Sequence, residues 1–248
     1  RFSFIAHRSH DFCNPVSEVK IGRAIDLLAL NAGDPVVDFG AGKCELLIRL
    51  VERYSVRATG VEPSPLFAGE ARQRALGRVA DDGLVIAEQD AESFVAQNRE
   101  ARFHAALCVG STHAFGDYAR TLDALKAAVS PGGKIFVGEG YWKRPPCDEY
   151  LTALGAKASD LTSHAENVAR AAANGLIPLW AGVASDDDWD EYEWRYARSV
   201  ETFVAENLDD PDAEEMLRKI RTWRDVYLRW GRDTLGFGLY LQMRPCCD

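Results

Sequence analysis

No stretch of the chain approaches the about 18 to 20 consecutive apolar residues that a bilayer-spanning helix requires, so no membrane association is expected. Basic residues are in deficit: 29 Lys and Arg stand against 38 Asp and Glu, a formal charge of -9. Sequence-independent nucleic-acid binding rests on the opposite balance. The six cysteines, Cys13, Cys44, Cys108, Cys147, Cys246 and Cys247, lack finger-like spacing and a nearby histidine pair, which excludes a disulfide framework and a zinc site as readings. Cys246-Cys247 reads as a loose thiol pair, with soft-metal binding or oxidation as the rival readings, and no metal is expected at the site. The first residue is Arg1, read as a processed or trimmed start, and no apolar signal-peptide core follows it. These absences together predict a reducing, cytoplasmic setting. There is also no internal repeat and no low-complexity linker, and 248 residues suffice for one large α/β domain or two small ones.

What is present centres on Pro35-Val36-Val37-Asp38-Phe39-Gly40-Ala41-Gly42-Lys43-Cys44-Glu45-Leu46-Leu47. A short apolar run enters a glycine turn and a segment of helical periodicity leaves it, which predicts strand, tight loop and helix. Glycines let the backbone approach a ligand, and the first N–H groups of a helix meet polar or anionic groups. A phosphate-binding P-loop needs glycine where Val37 stands and Ser or Thr where Cys44 stands. A dinucleotide fingerprint asks for glycine at Glu45 and disfavours Asp38 before the first glycine. Neither matches.

The remaining segments alternate in the same way. Asn14-Pro15 marks a turn before a helix with Ile21, Ala24, Ile25 and Leu28 on one face. Ala58 to Val61 reads as a strand ending in Glu62, after which Ser64 caps a helix with Pro65 in its first turn. Glu62 lies about twenty residues beyond the first glycine, the spacing at which a carboxylate accepts hydrogen bonds from ribose hydroxyls. Leu84 to Ala87 is a third strand, followed by Asp90, which suits a helix cap. Phe103 to Gly110 reads as a buried parallel strand, with Cys108 a small core residue. Its tail carries His113, a candidate proton acceptor beyond the carboxyl ends of the strands, where an open α/β sheet holds its ligand; a structural or helix-start histidine is the rival reading. Ser130-Pro131-Gly132-Gly133 turns into a strand that ends on Glu139, Tyr141 and Trp142, a carboxylate beside two aromatics that suit either a cation-attracting pocket or plain packing. Two helical pieces between 145 and 175 exceed an ordinary connection and are expected to form a lid. Leu176 to Ala184 follows as a strand, with Pro178 indicating an edge or bulge. Trp189 and Tyr192 share a helical face that either packs in the core or looks into the site. Leu235 to Leu241 closes the series.

Val37-Asp38-Phe39-Gly40-Ala41-Gly42 resembles the first motif of the class I S-adenosylmethionine-dependent methyltransferases, and the likeness spans nearly the whole chain, with Glu62, Asp90, the His113 strand end, the Pro131 turn and the closing strand in order. Within that family it is similar to a poorly characterised bacterial subgroup that shares the Asn14-Pro15 entry, the Cys108-Val109-Gly110 strand ending and the Gly138-Glu139-Gly140-Tyr141-Trp142 segment. The resemblance implies a Rossmann-like α/β fold: a seven-stranded, mostly parallel sheet with the last strand antiparallel, helices on both faces, a helical cover over residues 1–33 and a lid over 145–175, all in one domain, 1–248. It implies S-adenosylmethionine as cofactor, held by Asp38, Gly40, Ala41 and Gly42, by Glu62 and Pro63, by Asp90 and Ala91 at the adenine, and by Cys108 and Gly110. His113, Glu139 and Tyr141 are then the catalytic candidates, and His10, Asn14, His113, Trp142, Trp189 and Tyr192 the acceptor contacts. Cys44 departs from the family, where many relatives place a further glycine. The expected activity is methyl transfer to an oxygen, nitrogen or sulfur atom of a small molecule. A non-methylating use of the cofactor, such as cyclisation or alkyl transfer, and a cofactor-binding module without catalysis stay open, as do the acceptor and the oligomeric state.

Overall fold

Apolar residues in the strands fall on alternate faces, and this alternation builds two cores around one sheet. The computed structural model describes residues 1–246; Cys247 of the tail thiol pair lies outside them. Strands β1 (Pro35–Phe39), β2 (Arg57–Val61), β3 (Leu84–Ala87), β4 (Phe103–Val109), β5 (Val129–Trp142), β6 (Ile177–Val183) and β7 (Leu235–Met243) form a seven-stranded sheet in the order β3-β2-β1-β4-β5-β7-β6. Only β7 runs antiparallel, against both β5 and β6, as the family resemblance implies. Val36, Ala105, Leu107 and Phe136 enter one core, and Val37, Phe39, Ala106, Cys108, Ile135 and Val137 enter the other.

The first face is covered by α2 (Glu18–Leu28), α3 (Glu45–Tyr54) and α4 (Pro65–Ala75), through Ile21, Ala24, Ile25, Leu28, Leu46, Leu47, Leu50 and Ala71. The second is covered by α5 (Ala91–Gln97), α6 (Tyr118–Ala128) and α8 (His164–Ala173), which follows α7 (Asp148–Leu154). A smaller core joins α1 (Phe2–Ala6) to α9 (Asp186–Glu206) and α10 (Ala213–Val226) through Ile5, Val200, Val204, Met216 and Ile220. Among the described residues no helix is long and apolar enough to cross a membrane.

Local chemistry explains several boundaries. Asp90 caps α5 by accepting from the Ser93 N–H at 2.7 Å, Ser163 caps α8, and Ser185 with Asp188 forms a capping box at α9. Ser64 stands at the cap position of α4 with Pro65 behind it, but its hydroxyl makes no cap bond; its N–H instead donates to Glu62 Oε1. The Pro-Gly-Gly turn lies within β5, which begins at Val129 rather than Lys134, and the ladder with β4 slips register there. Pro178 sits on the edge strand β6 at a second register shift, where a missing N–H is tolerated.

The chain steps outward from β1 to β2 and β3, then returns to place β4 on the other side of β1. That reversal opens a crevice at the carboxyl ends of β1, β2 and β4.

Candidate active site

A cavity of about 290 Å³ occupies the crevice and gathers Asn14, Asp38, Gly40, Ala41, Gly42, Glu62, Gly110 and His113 from the sequence-derived candidates. Its floor is the loop between β1 and α3. Gly40 adopts φ +70°, and a Cβ there would lie 2.3 Å from that of Ser111, so only glycine serves. Gly40 and Ala41 both donate to the Val61 carbonyl, which ties the loop to the end of β2. Glu62 straddles the floor: Oε2 accepts from the Gly42 N–H and Oε1 from the Ser64 N–H, each at 2.9 Å. Cys44 takes the left-handed conformation at φ +55° and is fully buried, its thiol turned onto Gly60 instead of into the cavity. The departure from the family's glycine therefore alters packing beneath the loop.

Asp38 is 4 % exposed, and its Oδ1 has no hydrogen-bond partner among the described residues. Burial, reinforced by the charge of Glu62, pushes its carboxyl up to about 7.

The roof is the segment after α1. Lys43, 2 % exposed, sends its ammonium from the glycine loop to the carbonyls of His7 at 2.6 Å and His10 at 2.9 Å. Arg74 of α4 adds bonds to the Asp11 carboxylate at 2.8 Å and the His10 carbonyl at 3.3 Å. His7 Nδ1 faces the Ser3 carbonyl, an acceptor only, so it carries the proton and Nε2 accepts from the Tyr192 hydroxyl at 2.9 Å. Burial lowers the His7 imidazole to about 4 and lowers His10 as well. Asn14 Nδ2 donates to the Val109 carbonyl at 3.1 Å, and a Cβ on Gly110 would meet Asn14 Oδ1 at 1.9 Å. Roof and wall thus touch across one glycine.

The wall is the one-turn helix Thr112–Phe115 after β4, which carries an exposed His113 onto the cavity. The Thr112 hydroxyl donates to Glu139 Oε2, and the Gly140 N–H donates to Oε1 at 2.7 Å. Burial raises the Glu139 carboxyl, while these two bonds and the nearby His113 oppose the shift.

Other candidates lie elsewhere. Asp90 is exposed and bonds Ser93, Ala91 is buried in the second core, and Pro63 is exposed. Cys108 is fully buried in the second core. Tyr141 packs on Gly236 of β7 and on the His164 ring, and Trp142 holds the 158–162 segment through its N–H to Thr162 and its indole N–H to Ala158. Trp189 stacks on Tyr227 in the first core. His10 and Tyr192 line a second cavity behind the roof, with His10 donating to the Tyr192 carbonyl. No residue of 145–175 lines the first cavity among the described residues; the segment instead packs on the sheet through Asn167 and Ala171. Lys43 is the functional residue that sequence reasoning passed over. Its only local signal is a cation following the second glycine, and its partners lie more than thirty residues away.

The model of a methyltransferase domain matches residues 37–135. A SAM-dependent methyltransferase of Geobacter sulfurreducens, solved with S-adenosylhomocysteine, is 28 % identical, with TM-score 0.91 over 98 % of both chains. Another from Thiobacillus denitrificans, also with S-adenosylhomocysteine, is 27 % identical, with TM-score 0.88 over 97 % of this chain and 96 % of that one. The uncharacterised protein YjhP of Escherichia coli is 26 % identical over 97 % of this chain and 96 % of its own length.

Proposed function

Because the chain belongs to the class I S-adenosylmethionine-dependent methyltransferases, we propose that it methylates an oxygen, nitrogen or sulfur atom of a small organic acceptor. The observation that supports this reading is the roofed cavity, about 290 Å³ under a segment fastened by Lys43 and Arg74, a space suited to small molecules. The acidic balance of the chain points the same way.

The residues present suit the cofactor. Each oxygen of Glu62 accepts one backbone N–H and keeps a further lone pair, so the carboxylate can take both hydroxyls of a ribose. Asp38 Oδ1, buried and unpartnered, matches the ammonium of a methionyl group. The first turn of α3, with Glu45 and Leu46 on the cavity, presents N–H groups to its carboxylate. Pro63, Asp90 and Ala91, at the starts of α4 and α5, are the proposed adenine side. Gly110 is its open wall.

When bound, S-adenosylmethionine supplies a sulfonium methyl open to in-line attack. His113, exposed on the wall, takes the proton that a hydroxyl or ammonium acceptor must lose. Glu139 holds the turn that carries it, through Thr112. The roof excludes water, and Asn14 orients what enters against Gly110. The 145–175 segment, with Trp142 as its anchor, is the proposed outer border of the acceptor side.

Calorimetric titration with S-adenosylhomocysteine tests the cofactor half. Glu62→Ala removes two charge-assisted hydrogen bonds, and affinity should fall about 10- to 100-fold; unchanged affinity overturns the assignment. Screening small acceptors tests the other half. His113→Ala should lower kcat about 10²- to 10⁴-fold for hydroxyl acceptors while leaving S-adenosylhomocysteine affinity intact. Cofactor consumption without any acceptor would instead favour a non-methylating reaction.

A further inference from the structure

Glu193 is a buried carboxylate that the methyl-transfer site does not use. It is 4 % exposed on α9, and Oε2 accepts from the Trp223 indole N–H at 2.7 Å. Among the described residues Oε1 accepts no hydrogen bond, and no Lys or Arg forms an ion pair with Glu193. A buried charge without a cation is costly, and burial pushes this carboxyl up to about 7.

Glu193 lines a cavity of about 310 Å³ whose other walls are Phe2, Tyr192, Tyr196, Trp223 and Lys219. Four aromatic side chains around one carboxylate are the elements of an aromatic cage, in which ring faces and an anion together attract an organic cation. One ring of the lining already faces a cation: the Lys219 ammonium, paired with Glu215 at 2.8 Å, lies 5.9 Å from the centre of the Phe2 ring. The space is distinct from the cofactor cavity. Helix α1 divides them, with Phe2 lining one and Ser3 and His7 the other.

We propose that this cavity is a second ligand site, which binds a small organic ammonium ion with an apolar body, its N–H donated to Glu193 Oε1 and its body held among Phe2, Tyr196 and Trp223. Tyr192 connects the two cavities, since it lines this one and its hydroxyl donates to His7 on the other. Occupancy would therefore brace α1 from behind the cofactor roof.

The test is calorimetry of the full chain, saturated with S-adenosylhomocysteine at about pH 8, where Glu193 is ionised. Benzylamine and its neutral counterpart benzyl alcohol are the probes. Benzylamine should bind at least about tenfold more tightly than the alcohol, since charge-assisted hydrogen bonds are worth roughly 1.5–3 kcal/mol. Glu193→Gln should abolish that preference without changing S-adenosylhomocysteine affinity. Phe2→Ala, a change at the edge of the fold, should weaken benzylamine several-fold. Equal binding of amine and alcohol, undiminished amine binding in either variant, displacement of S-adenosylhomocysteine by benzylamine, or no amine binding at millimolar concentration would each overturn the proposal. Binding of S-adenosylhomocysteine is read in the same cell, so failure of the amine site is distinguishable from failure of the cofactor reading.

Discussion

Asp38 ties the chemistry of the site to the stability of the fold. Its carboxyl moves from 3.8 in the unfolded chain to about 7 in the folded one. Between those values the folded state keeps a proton that the unfolded state has lost, so stability is full below about pH 4 and falls as pH rises through about 7. Asp38→Asn removes the ionisation, and its Tm relative to the unmodified protein should be higher at about pH 8 than at about pH 5. Cofactor binding should follow the opposite course, because an ammonium ligand needs the carboxylate. Affinity for S-adenosylhomocysteine should drop as pH falls below about 7, and Asp38→Asn should flatten that profile. A flat profile in the unmodified protein, read by calorimetry, would remove Asp38 from the ammonium-binding role. His7 titrates in the other sense: held to about 4 by burial, it opposes unfolding more strongly as pH climbs toward its ordinary 6.5.

Among the elements, the segment between α1 and α2 depends most on a single side chain. Lys43→Met keeps the apolar stem but leaves the carbonyls of His7 and His10 without their buried donor, a loss of about 1–3 kcal/mol. Hydrogen exchange at the amides of His7, Arg8 and His10 should quicken roughly 10- to 100-fold, with α6 and α8 unaffected. Unaltered exchange would show that Arg74 and Tyr192 suffice. This contact also marks where sequence reading ends. Strand β1, the glycine loop, Glu62, the Asp90 cap and the edge or bulge at Pro178 were legible, because each depends on neighbours a few residues away or on a two-residue alternation, whereas the antiparallel β7 was implied by the family resemblance. The orientations of Cys44, Tyr141, Trp142 and Trp189 were not. Each is set by a partner brought from afar, namely Gly60, Gly236, Thr162 and Tyr227. An aromatic at a strand end looks the same in sequence whether it faces ligand or its own chain.

At the scale of the whole molecule, the sheet order puts β1, whose loop is the floor of the cavity, toward its middle, while α1, next to the roof, packs in a separate core with α9 and α10. A ligand that fills the cavity touches both the glycine loop and the roof, so its binding energy should appear as global stability. At about 100-fold excess over Kd, S-adenosylhomocysteine should add about 2.7 kcal/mol, which for a chain of this size corresponds to a rise in Tm of roughly 5–10 °C. A shift confined to one of two separate melting transitions would show that the floor and the α1, α9 and α10 cluster unfold independently.

The roof has one further consequence, in the order of synthesis. Residues 7–13 leave the ribosome before the groups that fasten them, Lys43, Arg74, Tyr192 and Ser199, which are translated progressively later. A nascent polypeptide halted before α9 already owns its glycine turn but has nothing to latch the overlying segment from the far side. Competence to retain a nucleoside-bearing ligand should therefore arrive abruptly, only once α9 has been made.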